Sequence, residues 1–351
     1  MKKRTVTLFI LVLTLALSLA TLSAFAEGET STDSGETVPE TGSIADDGAG
    51  DTAAPDGWAK VKGKKVYYKN GVKVTGWKTI DGKKYYFSKA GYMQTGMKKI
   101  GNKVYYLKNG VKTVKKGWLK VKGNKYYGFK SGTFATKPVK IGKKVYMFRK
   151  DGKLITTKGL YKYAGKWYYG LGKGKLKTGW VSDGKNAMYF NEKNSKKTGS
   201  LGSMARNTKV GYLKIPKNGK LGYAYALGVQ QLDKSGWSLM NAYTFSYRLR
   251  YGDRWYRRST SEDYAVRGFT QGYGNCYVMA ATFYIQAKLL GYDVHQVEGR
   301  VDLPHSWTVI IENGNEWVYD PNFRNETGRN GWKIYYGKKG TWRYNSFHKM
   351  N

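Results

Sequence analysis

Hydrophobic positions fall into four patterns along the chain, and each predicts a different kind of segment. The first is an apolar run from Leu8 to Leu19, broken only by Thr14 and Ser18. Lys2, Lys3 and Arg4 precede it and Ala24-Phe25-Ala26 follows, the order of a secretory signal peptide. The run is short of the ~20 residues that a membrane span needs. No second such run follows, so residues 1–26 are expected to be removed and the mature chain is not expected to span a membrane. The second pattern is a near absence of apolar residues over 27–56. Acidic side chains from Glu27 to Asp56 are set there among Ser, Thr, Gly, Ala and Pro, with no Lys or Arg. Such a segment buries too little surface to offset its ordering entropy and is expected to be a disordered spacer.

The third pattern begins at Gly57 and is self-similar. Tyr67-Tyr68, Tyr85-Tyr86, Tyr105-Tyr106, Tyr126-Tyr127, Tyr146-Met147, Tyr168-Tyr169 and Tyr189-Phe190 recur about every twenty residues. Gly57-Trp58, Gly76-Trp77, Gly96-Met97, Gly117-Trp118, Gly159-Leu160 and Gly179-Trp180 fall between them. Turn signals stand at Asn70-Gly71, Asp81-Gly82, Asn109-Gly110, Asp151-Gly152 and Asp183-Gly184. Each unit therefore reads as two short strands around a tight turn. A lone hairpin is marginal in water, but stacked units can share an aromatic core as a solenoid.

The fourth pattern starts after Ser200 and is helical. Ala224 to Asp233 and Ser238 to Arg250 have helical spacing, with Leu239, Ala242, Phe245 and Leu249 on one face. Cys276, Ala280, Phe283, Ala287 and Leu290 share the face of another helix, with Asn275 as its N-cap and Gly291 as its stop. Strands follow over Val294–Val301, His305–Ile311 and Glu316–Asp320. The chain is thus multidomain, with boundaries at 1–26, 27–56, 57–200 and 201–351. An all-β solenoid of hairpin repeats is followed by an α+β domain.

Charge changes this picture by adding a partner. The chain carries 62 Lys+Arg against 24 Asp+Glu, a formal +38. Such an excess draws polyanions. Nucleic acid is disfavoured, because the chain opens with an export signal and contains no nucleic-acid module. One cysteine and three histidines give no zinc spacing, so neither a metal nor a cofactor is expected.

The units, with Gly82-Lys83-Lys84-Tyr85-Tyr86-Phe87 and Thr75-Gly76-Trp77 as their clearest copy, resemble the cell-wall-binding repeats of the choline-binding and glucan-binding type. The resemblance covers about residues 57 to 199. It implies aromatic cages or shallow sugar sites, with Trp58, Tyr68, Trp77, Tyr86, Trp118, Tyr127 and Trp180 as ligand-binding candidates. A cage suits a quaternary ammonium because ring faces attract cations. The chain departs from the pattern at Met97, Leu160, Met147 and Thr136-Lys137-Pro138, and lysines are dense throughout. The polymer is therefore a teichoic acid, a choline-bearing chain or a glucan, with basic surface favouring the phosphate-bearing kind. The protein is expected at the cell wall or surface of a bacterium.

Candidate chemistry centres on Cys276, the only cysteine. In an exported chain a lone thiol is either a small buried apolar residue or a reactive group. At a helix start it feels the positive end of the dipole and nearby N–H groups, which stabilise thiolate and can receive an oxyanion. If Asn313-Gly314 is a two-residue turn, Trp307 pairs with Asp320 and both share a face with His305. His305 and Asp320 are then diagonal neighbours at ~7–8 Å between backbones, and the carboxylate can orient the imidazole. His295 and His348 lack such company.

Gly274-Asn275-Cys276-Tyr277-Val278-Met279-Ala280-Ala281, Leu290-Gly291-Tyr292, His305-Ser306-Trp307 and Tyr319-Asp320-Pro321 together resemble the transglutaminase-like superfamily, over about residues 205 to 340. The resemblance implies a papain-like fold with Cys276 as nucleophile, His305 as general base and acid, and Asp320 orienting His305. A second oxyanion donor is common in such enzymes, and Trp237, Trp255 and Tyr264 are candidates. The implied reaction is acyl transfer through a thioester on a protein or peptide substrate. An amine would resolve the thioester to a cross-link, and water to deamidation or hydrolysis. The alternative is a non-catalytic surface adhesin that keeps the fold as a binding module.

Overall fold

The structure, a computed structural model, describes residues 55–252, 259–301, 303–335, 344 and 346–350. The expected signal peptide, most of the acidic spacer and Trp255 lie outside the described residues. Asp56, the last residue of that spacer, accepts a hydrogen bond from the Gly71 N–H at 3.2 Å and so joins the first repeat.

Each Gly-Trp step opens a strand that pairs antiparallel with the Tyr-bearing strand after it. Gly57–Val61 pairs with Lys64–Lys69, Gly76–Ile80 with Lys83–Phe87, Gly117–Val121 with Asn124–Gly128, and Gly179–Ser182 with Ala187–Phe190. Asp81 and Gly82 have φ of 48° and 70°, the doubly left-handed geometry of a two-residue hairpin turn. Lys62-Gly63 and Lys122-Gly123 make the same turn, with Lys at φ 50° and 44°. Lysine has no short side chain to bond locally in this region, so composition does not flag these turns. Asn70-Gly71 and Asn109-Gly110 instead lead into short third strands, Val72–Lys73 and Val111–Thr113. Asp183-Gly184 is also different: Asp183 Oδ1 accepts from the Asn186 N–H at 2.7 Å, an Asx turn.

Neighbouring units are joined by backbone hydrogen bonds. Met93 N–H donates to Lys65 O at 2.8 Å, Phe134 N–H to Val104 O at 2.9 Å and Leu154 N–H to Lys125 O at 2.9 Å. Phe87, Leu107 and Phe148 fill the resulting small cores and are fully buried. This stitching continues past residue 200. Ala205 N–H donates to Tyr189 O at 2.8 Å, and Ala187 and Leu221 exchange two hydrogen bonds of 3.0 and 2.9 Å. Trp180, Ala187, Leu213, Ile215 and Leu221 then share one core with the helices that follow.

Those helices are α1 (Tyr223–Ser235), α2 (Leu239–Tyr247), α3 (Ser261–Gln271), α4 (Cys276–Leu290) and the short α5 (Phe323–Thr327). The start of α2 is fixed by Ser238, whose side chain accepts from the Asn241 N–H. Helix α3 was not evident from apolar spacing. Its signature is local instead: Thr260 and Asp263 form a capping box, and Gly272 closes the helix in the left-handed region at φ 69°.

Helix α4 differs from the one-face expectation, because Val278, Met279, Ala281, Thr282, Ile285 and Gln286 are buried as well. It is enclosed by α1, α2 and α3 and by the strands Asp293–Arg300 and Pro304–Glu312. Small residues permit this. A Cβ on Gly268 of α3 would lie 2.3 Å from Thr282 Cγ2, so the two helices cross too closely for any side chain there.

The sheet is five-stranded and antiparallel, in the order Ile334–Tyr335, Asn315–Tyr319, Pro304–Glu312, Asp293–Arg300, Ser346–Lys349. Asn313 and Gly314 turn at φ 52° and 78°. Glu312 faces Asn315 and Thr308 faces Tyr319, so the register brings Asp320 opposite Trp307. Among the described residues no helix is long and apolar enough to cross a membrane.

Candidate functional site

Cys276 is the first residue of α4. The Asn275 side chain caps the helix by accepting from the Val278 N–H at 3.4 Å. The N–H groups of Cys276 and Tyr277, at the first two helical positions, have no intrahelical acceptor. The loop before them is held by a two-residue parallel pairing of Arg250–Tyr251 with Tyr273–Gly274. Gly274 permits the approach, because a Cβ there would lie 2.4 Å from Val278 Cβ. This accounts physically for the Gly-Asn-Cys sequence: close approach, cap, then thiol.

His305, at the start of its strand, is buried at 3% exposure, and Asp320 is fully buried. His305 Nε2 and Asp320 Oδ2 are 2.8 Å apart. The carboxylate is itself fixed, because the Tyr344 hydroxyl donates to Oδ2 at 2.9 Å and the Asn322 N–H to Oδ1 at 3.0 Å. The Tyr243 hydroxyl donates to the Asp320 carbonyl at 3.1 Å. Trp307 stacks on the imidazole at 5.9 Å between centroids, and Tyr344 packs on Trp307 at 4.9 Å.

Burial alone would lower the His305 pKa. The Asp320 charge and hydrogen bond, followed by the hydrogen bond and charge of Cys276, overcome it and hold the imidazole well above its ordinary 6.5. The thiol is thus close enough to the imidazole to act on its charge. With Nε2 committed to Asp320, Nδ1 is the nitrogen left to exchange a proton with sulfur. Nδ1 also lies 3.3 Å from Glu326 Oε1, and Asn322 Nδ2 donates to that same oxygen at 2.6 Å. The arrangement can hold a thiolate beside an imidazolium and return a proton from the ring. Among the described residues no group of three or more His, Cys, Asp or Glu could hold a metal ion.

Of the two expected oxyanion donors among the described residues, Tyr264 is the one near the thiol. Its ring lies 5.5 Å from that of Tyr277. Burial raises its hydroxyl pKa, and the Glu298 and Cys276 charges raise it further against a backbone hydrogen bond from Ser259. Trp237 is elsewhere: its Nε1 donates to Asp233 at 2.9 Å. His295 lies 3.7 Å from Asp293, and His348, mostly exposed, 3.5 Å from Glu298.

The repeats build three aromatic clusters of one design. Trp58 meets Tyr67 at 5.3 Å and Tyr85 at 4.9 Å. Trp77 meets Tyr86 at 5.1 Å and Tyr105 at 5.0 Å. Trp118 meets Tyr127 at 5.3 Å and Tyr146 at 5.0 Å. In each, one tyrosine is the Trp's own hairpin partner and the other comes from the next unit. Trp58 and Trp118 are each 41% exposed.

Residues 74–115 match the family model of the choline-binding repeat. The chain also resembles solved structures of this kind. Choline binding protein F from Streptococcus pneumoniae is 29% identical over 47% of this chain and 57% of its own, with a TM-score of 0.28. CbpJ from Streptococcus pneumoniae TIGR4 is 28% identical over the same shares, with a TM-score of 0.27. The multimodular pneumococcal cell wall endolysin from phage Cp-1, solved with choline, is 28% identical over 37% of this chain and 40% of its own, with a TM-score of 0.24. The chain therefore spans less than two thirds of each. No curated protein matches it.

Two expected ligand residues lie outside these three clusters. Tyr68 pairs with Gly57, while Tyr67 pairs with Trp58. Side chains alternate along a strand, so Tyr67, not Tyr68, joins the first cluster. Trp180 is 7% exposed and donates from Nε1 to the Leu289 carbonyl at 2.9 Å. The next hairpin, Thr208–Val210 with Leu213–Ile215, sets Leu213 and Ile215 in one core with this tryptophan instead of a tyrosine beside an open face. Tyr85, Tyr105 and Tyr146 were missed because their role depends on how units stack, which no single unit spells out. Tyr344 and Glu326 were missed for the same kind of reason. They reach the His305–Asp320 pair from segments that carry no motif of their own.

Proposed function

We propose that this is a wall-attached thiol enzyme that transfers acyl groups from carboxamides of a protein or peptide substrate. Cys276 attacks the carbonyl carbon, and its S–H proton passes to His305 Nδ1. The first-turn N–H groups of α4 face the developing oxyanion, with Tyr264 as the candidate side-chain donor. His305 then passes its proton to the departing amine, leaving a thioester. Water or an amine resolves the thioester with His305 acting as base. Asp320 keeps the imidazole oriented and favours its cation.

The observation that supports this reading best is the buried 2.8 Å contact between His305 Nε2 and Asp320 Oδ2, combined with a thiol near enough to the same ring to help raise its pKa. A binding module has no use for a buried charge pair aimed at its only cysteine. The repeats supply attachment. The cleft beside Trp118 and Tyr146 is lined by Lys120, Lys125, Lys173 and Lys175, so an aromatic face and several cations meet in one place. That combination suits a polymer carrying both ammonium and phosphate groups.

The test is incubation of the full chain with a glutamine peptide and a labelled primary amine, comparing wild type with Cys276→Ala. Amine incorporation means cross-linking, a gain of one mass unit means deamidation, and shorter products mean hydrolysis. Absence of all three across a panel of wall-peptide amides, with wall binding retained, would favour the adhesin alternative.

A further inference from the structure

We propose that the cleft where the Trp180 hairpin meets the helices binds an alkylammonium group, independently of the thiol chemistry and of the aromatic clusters in the repeats. The cleft has a volume of about 640 Å³ and is lined by Tyr189 and Glu192 on the hairpin side, with the buried Trp180 behind them, and by Asp233 and Trp237 on the helical side. These residues form two aromatic–carboxylate pairs. The Trp237 Nε1–H donates to Asp233 Oδ1 at 2.9 Å, and the Tyr189 hydroxyl donates to Glu192 Oε2 at 3.4 Å. Each aromatic thus fixes one carboxylate oxygen. Asp233 Oδ2 and Glu192 Oε1 have no hydrogen-bond donor among the described residues.

Charge separates this cleft from the one beside Trp118. The latter is lined by four lysines and no carboxylate. The junction cleft has two carboxylates against a single cation, Lys177. In a chain with a formal +38, a concave surface with net negative lining runs against the general charge. Its walls offer what an organic ammonium needs: the Tyr189 and Trp237 rings beside the charge, carboxylate oxygens for the N–H donors, and the apolar Val210 and Leu290 for the attached carbon chain. Trp237 is 41% exposed, an open indole edge that packing alone does not account for. Carboxylate acceptors favour an ammonium that keeps its N–H groups over a fully methylated one.

The test uses the full chain labelled with 15N at its tryptophan indoles, with the Trp237 signal assigned through Trp237→Phe. Titration with n-butylammonium is expected to move the Trp237 indole resonance, while n-butanol leaves it in place and tetramethylammonium moves it less. Asp233→Asn combined with Glu192→Gln is expected to weaken butylammonium binding about tenfold or more. The other indole signals report whether that variant is folded, and Asp233→Asn alone serves if it is not. The proposal is overturned if Trp237 does not respond to butylammonium. It is equally overturned if butanol or tetramethylammonium does as well, or if the folded carboxylate variants bind unchanged.

Discussion

Asp320→Asn isolates the step on which the enzyme reading rests. The native carboxylate accepts from three donors: His305 Nε2 at 2.8 Å, the Tyr344 hydroxyl at 2.9 Å and the Asn322 N–H at 3.0 Å. An amide keeps the volume but has one acceptor oxygen, so its NH2 must face at least one donor. It also removes the charge that does most to raise the His305 pKa. Inverting one buried hydrogen bond costs about 1–3 kcal/mol of stability. The loss of orientation and charge should slow acyl transfer by about 10²–10⁴-fold, the range expected when an imidazole loses its carboxylate partner.

The assay that separates this from mere destabilisation is the pH profile of Cys276 alkylation by iodoacetamide. In the wild type a raised His305 pKa keeps the imidazolium beside the sulfur through neutrality, so alkylation should stay fast at about pH 6 to 7. In Asp320→Asn the cation is lost earlier. Alkylation should slow in that window relative to the wild type. Stability follows the same sign. A group whose folded pKa is raised contributes fully below its unfolded value of 6.5 and loses that contribution as pH rises through the folded value. Superimposable alkylation profiles, in variants with the same unfolding midpoint and far-UV spectrum, would refute the reasoning.

Other changes test other parts of the molecule. Glu326→Gln removes a carboxylate 3.3 Å from His305 Nδ1 and should move the alkaline limb of the activity profile to lower pH. The shift should be smaller than for Asp320→Asn, because the Glu326 side chain is 29% exposed and solvent screens it. Trp180→Phe leaves the Leu289 carbonyl without its 2.9 Å donor and should lower stability by about 1–3 kcal/mol in urea unfolding while leaving retention on a choline matrix unchanged. Trp118→Ala should reduce that retention more than Trp77→Ala, since Lys84 Nζ already lies 5.5 Å from the Trp77 ring and competes with any bound cation.

What was legible in the sequence was whatever depends on neighbours along the chain. The hairpins followed from strand–turn–strand spacing, and the register of the His305 and Asp320 strands followed from a two-residue Asn313-Gly314 turn. A one-residue slip would have turned Asp320 to the other face, so those two turn residues carried most of the inference. The start of α4 was equally local, since Asn275 and Gly291 bracket the helix. Features set by contacts between distant segments were not legible. Helix α3 has a capping box but little apolar periodicity, and α4 has no polar face because three helices and a sheet surround it.

The same distinction governs the aromatic residues and leads to a physical account of how the two parts join. A tryptophan at the Gly-Trp step is a ligand candidate only where the next unit sets a tyrosine beside it and leaves its face open, as at Trp58 and Trp118. After the Trp180 hairpin the next one, Thr208–Val210 with Leu213–Ile215, offers Leu213 and Ile215 to Trp180 instead of a tyrosine, and the exposed end of a solenoid must be capped. Helices α1 and α4 serve as that cap: Trp180 turns its indole N–H onto the Leu289 carbonyl, and Leu213, Ile215 and Leu221 extend the core toward the helices. The end of α4 opposite Cys276 is therefore fixed to the repeats. A helix clamped at its C-terminus and capped by Asn275 at its N-terminus has little freedom to move the thiol away from His305. Damage at the junction should then disturb the chemistry at the far end of the same helix before it disturbs the outer repeats, whose cores are separate.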